Sequence, residues 1–277
     1  MTPGAQSRVG GALLAASALA GAAAFLYPFL LPALAGPSAE AARAPLAPLV
    51  LGGIAALSVA LTLANQADAS LAGSGGGKQI AVLGTLVAID ASLRLIPSFA
   101  GASPIFALIL LAGAAFGVRF GYLMGTMTML LSAALTGGIG PWLPYQMLGA
   151  GWVGLSGALV PRSGSLRRRV AALALLGLVW GFLFGAILNL YAWPFAAPGL
   201  QADAGLYWNP SLSLGEAIHR YGAYYLATSF AYDLFRAVGN AALLLAAGAP
   251  ALRLLERYRR RIAWRPADAA GSEPPRT

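Results

Sequence analysis

Eight apolar runs, parted by short segments that hold most of the charge, constrain what this chain can fold into more than any motif does. They cover approximately Val9 to Ala35, Leu46 to Ala64, Ile80 to Pro97, Ser103 to Val118, Phe120 to Thr136, Pro144 to Val160, Val170 to Tyr191 and Glu216 to Pro250. A helix rises about 1.5 Å per residue, so a run of about 20 residues crosses the roughly 30 Å hydrocarbon core of a bilayer. Backbone in hydrocarbon finds no water, and a helix satisfies its amides internally. Only 10% of the residues are charged and 58% are hydrophobic, whereas about a quarter of a soluble domain is charged. The expected fold is an all-α integral membrane protein with about eight transmembrane helices.

The net charge of +9 would suggest nucleic acid in a soluble protein. Here Arg8, Lys78, Arg119, the group Arg162, Arg167, Arg168 and Arg169, and the tail Arg253, Arg257, Arg259, Arg260, Arg261 and Arg265 all fall on one side of an eight-span topology. Arg43 and Arg220 are the chief cations of the other side. Cytoplasmic loops are enriched in Lys and Arg, so both termini are expected in the cytoplasm, with the lipid bilayer rather than nucleic acid explaining the charge. The chain has no cysteine and one histidine, which excludes a disulfide framework, a thiolate site and a multi-histidine metal centre. The stretch GSGGGK ending at Lys78 is followed by Gln79, where a phosphate-binding loop needs Ser or Thr. No catalytic residue, metal or cofactor is expected.

Composition divides the chain into residues 1–64, holding two N-terminal transmembrane helices, a flexible Gly/Ser linker over 65–79, a six-helix core over 80–252, and a basic cytoplasmic tail over 253–277 with a disordered end. A cleaved signal peptide is the rival reading of the first run, since Arg8 precedes it and Ala33 and Ala35 are small. That run exceeds the usual apolar segment of about 7–15 residues.

Within the core, the stretch Gly137 to Trp152 interrupts its apolar surroundings with Pro141 and Pro144 among Trp142, Tyr145, Gln146 and Trp152. It cannot be one unbroken helix, and it reads either as one wall of a solute-binding mouth or as a tight loop in the interfacial aromatic belt. The outer loop from Ala192 to Gly215 adds Trp193, Tyr207, Trp208 and Asn209 and could close over that wall as a lid. Asn189 precedes it; His219, Tyr221, Tyr224 and Tyr225 follow. With Arg94, these residues make the candidate substrate site: Arg94, Trp142, Tyr145, Gln146, Asn189, Trp193, Tyr207, Trp208, His219 and Tyr225.

Charge at bilayer depth is expensive and is usually paired or functional. Asp90 and Arg94 are four residues apart and Asp233 and Arg236 three apart, spacings that let each acid meet its base on one helix face. The two pairs are expected at similar depth on neighbouring helices, as one polar network; the alternative is that each pair only neutralises itself. Ala81, Gly84, Thr85 and Ala88 recur at helical spacing, a small-residue stripe for close approach by another membrane helix, within this chain or on a partner subunit.

The spans after the linker, the break Gly117-Val118-Arg119-Phe120-Gly121, and SAALTGGIGPWLPYQMLGAGWVGLSGALVPR from Ser132 to Arg162 together resemble the substrate-binding S components of energy-coupling factor vitamin transporters. The resemblance runs from about Ile80 to Arg261 and points to the actinobacterial and cobalamin-type members. It implies a six-helix subunit in a bacterial cell membrane that takes up a vitamin, here a corrinoid as first choice, at its outer face. It also implies partners: a transmembrane coupling protein (T component) and two cytoplasmic ATPases. S components often carry an AxxxA motif for docking to the coupling protein, and the Ala81, Gly84, Thr85, Ala88 face is a relaxed form of it. The two N-terminal helices are extra to that core. Two other functions remain open on the residues: a self-sufficient secondary transporter using Asp90 or Asp233 as a proton site, and a membrane enzyme or scaffold for lipid-linked substrates.

Overall fold

In a computed structural model of the chain, the described residues are 76–95, 104–140, 142–193, 205–208 and 212–263, with scattered positions between 11 and 53. Most of residues 1–75, the body of the loop after Trp193 and the end of the tail therefore lie outside the described residues. From residue 76 onward the described residues form seven helices: α1 (Gly76–Leu93), α2 (Ile105–Phe116), α3 (Val118–Thr136), α4 (Leu143–Gly157), α5 (Leu166–Ala192), α6 (Leu214–Thr228) and α7 (Phe230–Ala263). Among the described residues, α3, α5 and the stretch of α7 to Arg261 are long and apolar enough to cross a membrane, and α2 is a shorter apolar helix. The architecture is an all-helical membrane bundle.

Helix ends follow local chemistry. Gly117, at φ +107°, closes α2 and opens α3, and Gly137, at φ +68°, ends α3 with its N–H on the Ala133 carbonyl. Both conformations penalise a side chain, and glycine avoids that cost. Pro144 sits in the first turn of α4, where its missing N–H breaks no bond. Ser165 caps α5, and Ser213 and Glu216 form a reciprocal capping box at α6.

Helix α2 is the hub. Ten of its residues are buried, and it packs against α1, α3, α4, α5 and α7. At about 1.5 Å per residue it is only about 18 Å long, and a helix apolar on all sides belongs inside a bundle. Glycines set how closely its neighbours approach. A β-carbon at Gly113 or Gly121 would overlap the Gly154 carbonyl, one at Gly125 the Ala150 carbonyl, and one at Gly157 the Leu110 carbonyl. The α3–α4 contact is thus backbone on backbone, the packing that membrane helices use in place of a hydrophobic driving force. A second seam joins α5 to α7, where Gly177, Gly181 and Gly185 face Leu244, Ala237 and Asp233.

Three expectations change at this level. The helix of the third run begins at Gly76, so residues 76–79 of the expected linker are helical. Only the start of the Gly137 to Trp152 stretch is loop; from Leu143 onward it is α4, because a proline in the first turn is compatible with helix. The last run is two helices, α6 and α7, parted at Ser229, which leaves the helical region at φ −133°. Its hydroxyl accepts from the Asn189 amide at 2.6 Å, a side-chain bond that holds the break.

The first apolar run meets the core through α4. Residues 21–23 and 25–26 are helical, Gly21 lies against Trp152 and Leu148, and buried Phe25 packs edge-on to Tyr145 and tilted to Trp152.

Candidate functional site

One end of the bundle is basic. Arg162 donates to the Ala115 carbonyl at 3.4 Å, tying the loop after α4 to the end of α2. Arg169, at the start of α5, bonds Glu256 near the end of α7 at 2.6 Å with both side chains largely buried. Arg253, Arg257, Arg260 and Arg261 surround Glu256, and Arg259 lies within electrostatic reach of Arg162 and Arg169.

Aromatic rings gather at the opposite end, where α4 begins and α5 ends. Tyr145 and Tyr191 stack with centroids 3.7 Å apart. Two residues on, Trp193 is buried, its indole N–H donating to the Leu206 carbonyl at 2.8 Å. Tyr221 meets the Trp193 ring edge-on at 5.3 Å, Tyr224 lies tilted at 6.5 Å, and Tyr207 lies 6.5 Å from Tyr224. The loop after α5 is therefore pinned to α6 by rings from three stretches of chain. Helix α6 has no fully buried residue; it is an amphipathic helix whose tyrosines point into the bundle. Tyr221 donates to the Ala186 carbonyl and Tyr225 to Asp233 Oδ2 at 2.8 Å.

Below the rings lies a closed polar unit. Asp233, 1% exposed, accepts from Tyr225 and from Arg236 at 2.7 Å, in the space left by Gly185. The Arg236 guanidinium sits 5.6 Å from the centroid of the Phe184 ring, which meets Phe106 of α2 edge-on at 4.7 Å. A buried carboxylate with two charge-compatible partners and a cation with an aromatic face are each well satisfied.

Residues 78–247 match the family of ECF transporter substrate-specific components. The chain belongs to this family. No curated protein and no solved structure matches it. As an S component it is a substrate-specific subunit of a membrane transporter and not an enzyme. The matched region opens in the first turn of α1 and closes within α7.

In this S component the expected pair Asp90–Arg94 does not form. Arg94 donates to Ser132 Oγ at 2.7 Å and approaches Met129 Sδ at 3.5 Å, both on α3. Asp90 is wholly buried beside the Thr128 hydroxyl of α3, which approaches its carboxylate without closing a well-aligned hydrogen bond. The guanidinium is instead drawn to the Ser132 hydroxyl on the facing helix. Asp233–Arg236 does form. Arg94 makes its hydrogen bonds to α3 and lies within electrostatic reach of Arg236 across the bundle.

The other expected site residues divide. Tyr145, Trp193, Tyr207 and Tyr225 join the cluster described above, and Asn189 bonds Ser229 and Thr228 at its edge. Gln146 and Trp208 are half-buried beside it in sequence. Trp142 is 49% exposed, its indole N–H folded back onto the Gly138 carbonyl at 3.1 Å, whereas Trp193 is buried within the ring cluster. His219 is exposed on α6. Asn209 and the loop body expected to act as a lid lie outside the described residues. Sequence reasoning missed Tyr191, Phe25, Ser132 and Phe184. Tyr191 had a visible signal, two residues before Trp193 at the end of its run; the rest needed the packing.

Proposed function

We propose that this S component captures a vitamin-like micronutrient at the aromatic end of the bundle, that this end faces outward, and that both termini and the basic end face the cytoplasm. The observation that carries the reading is the convergence of Trp193, Tyr207, Tyr221 and Tyr224 with the Tyr145–Tyr191 stack. Such surfaces bind flat or amphipathic solutes through large apolar faces and a few polar tips. Arg94, held only by neutral groups on α3, suits an anionic substituent of the substrate. A corrinoid is the first candidate, on the resemblance to cobalamin-type S components.

The chain has no nucleotide-binding motif, so delivery would draw on a T component and two ATPases. Ala81, Gly84, Thr85 and Ala88 are all exposed on the free face of α1, with open space at the Gly84 β-position. That face fits docking of the coupling protein. The test is mass spectrometry of the small molecule retained by protein purified from cells grown in rich medium. A near-stoichiometric vitamin supports the reading, a corrinoid supports its finer form, and a lipid-linked precursor in its place would overturn it. The buried Asp90, with no ion-pair partner, favours one second reading, a proton-coupled transporter complete in itself. Substrate uptake by this chain alone in proteoliposomes under a proton gradient would establish it.

A further inference from the structure

The exposed stripe of α7 changes character within one turn. Leu243, Ala246 and Pro250 are exposed and apolar, and the same spacing continues through Arg253, Arg257 and Arg260, all exposed, with Arg261 beside them. Residues separated by three and four lie on one helix face, so a strip about 10 Å long, from Leu243 to Pro250, leads directly into four guanidinium groups. Those four arginines and Glu256 line a recess of about 550 Å³. Glu256 is the only acid in the lining, and Arg169 already occupies it. Arg259 lies within electrostatic reach of Arg162, Arg169 and Arg260, and among the described residues the one acid acting on it is the same Glu256. Leu254 and Tyr258, both more than half exposed, flank the basic face.

We propose that this recess binds the phosphate of an anionic phospholipid, with an acyl chain lying along the Leu243, Ala246, Pro250 strip. The bilayer supplies such a ligand at this depth, and a guanidinium matches phosphate oxygens in a two-pronged fork. A surface cation contributes about 1 kcal/mol towards anionic lipid, and clustering several around one recess turns diffuse attraction into a site. The site is independent of the vitamin pocket, which lies at the other end of the bundle.

The test uses the full chain in phosphatidylcholine nanodiscs with and without phosphatidylglycerol, reading lipid adducts by native mass spectrometry after transfer to detergent. Arg257→Gln/Arg261→Gln is compared with Arg167→Gln/Arg168→Gln, which removes the same charge from the same end outside the recess. The expected result is retained phosphatidylglycerol in the wild type and the second variant, and at least about a tenfold loss in the first. Equal loss in both variants, or no loss in either, overturns the site. Inorganic phosphate displacing the lipid at millimolar concentration would also overturn it, in favour of a free-phosphate site. Should Arg257→Gln/Arg261→Gln fail to fold, Arg253→Gln carries the same comparison against Arg167→Gln.

Discussion

Gly185→Ala tests the packing that places the polar unit beneath the aromatic cluster. A β-carbon there would occupy the space of the Asp233 carboxylate, overlapping both of its oxygens. Two responses are open to the protein. If α5 and α7 part slightly, the cost is that of overpacking a tight interior, about 1–3 kcal/mol. If Asp233 swings away, it abandons Tyr225 and Arg236, and breaking a buried ion pair costs about 3–5 kcal/mol. The structure therefore predicts a loss of at least about 1 kcal/mol, reaching about 5 kcal/mol if the pair is lost. Gly84→Ala, where nothing lies within 4 Å, should gain about 0.5–1 kcal/mol from the better helix propensity of alanine. Unfolding in mixed dodecyl maltoside and dodecyl sulfate micelles, followed by circular dichroism, measures both. A cycle with Asp233→Ala adds a check, since removing the carboxylate should relieve part of the Gly185→Ala penalty and make the double change less than additive. Equal stability of Gly185→Ala and Gly84→Ala would refute the seam as described.

Three further outcomes follow from named contacts. Asp90→Asn should change stability by less than about 1 kcal/mol, because no ion pair is lost and an amide can still meet the Thr128 hydroxyl, whereas Asp233→Asn should cost more than twice as much in the same unfolding assay. A double-mutant cycle between Arg94 and Asp233 should give coupling of no more than about 0.5 kcal/mol, since Arg94 meets the pair only through the field of Arg236 and not through a hydrogen bond; a larger value would show a direct shared network. Trp193→Ala should weaken binding of the co-purified ligand by at least about tenfold in isothermal titration, while Trp142→Ala, at an exposed ring, should leave it within about threefold.

What was legible in the sequence follows the range of the forces involved. Hydrophobic runs and cation placement are one-dimensional signals, and they anticipated a helical membrane protein with its basic segments gathered, as Arg162, Arg169 and Glu256 confirm at one end. The motif from Ser132 to Arg162 anticipated the family. Side-chain pairing was harder to read, because the contest for Arg94 is decided by Ser132, 38 positions away, and no local spacing reveals it. Asp233 and Arg236 were legible because nothing across the seam outbids them; the facing positions on α5 are glycines. The orientation of Trp142 was not legible, because an aromatic beside two prolines looks the same in sequence whether its indole faces the bundle or folds back on its own loop. The break at Ser229 carries no proline or glycine to announce it and is held by Asn189, a tertiary contact.

The central claim is that a small molecule is held where α4, α5 and α6 bring their rings together. A cryo-electron microscopy map of the protein with its co-purified ligand, in nanodiscs and with an antibody fragment for size, tests it most directly. The account predicts ligand density bounded by Trp193, Tyr224 and the Tyr145–Tyr191 stack; density lodged instead among the arginines at the other end, or against the outward-turned Trp142, would contradict it.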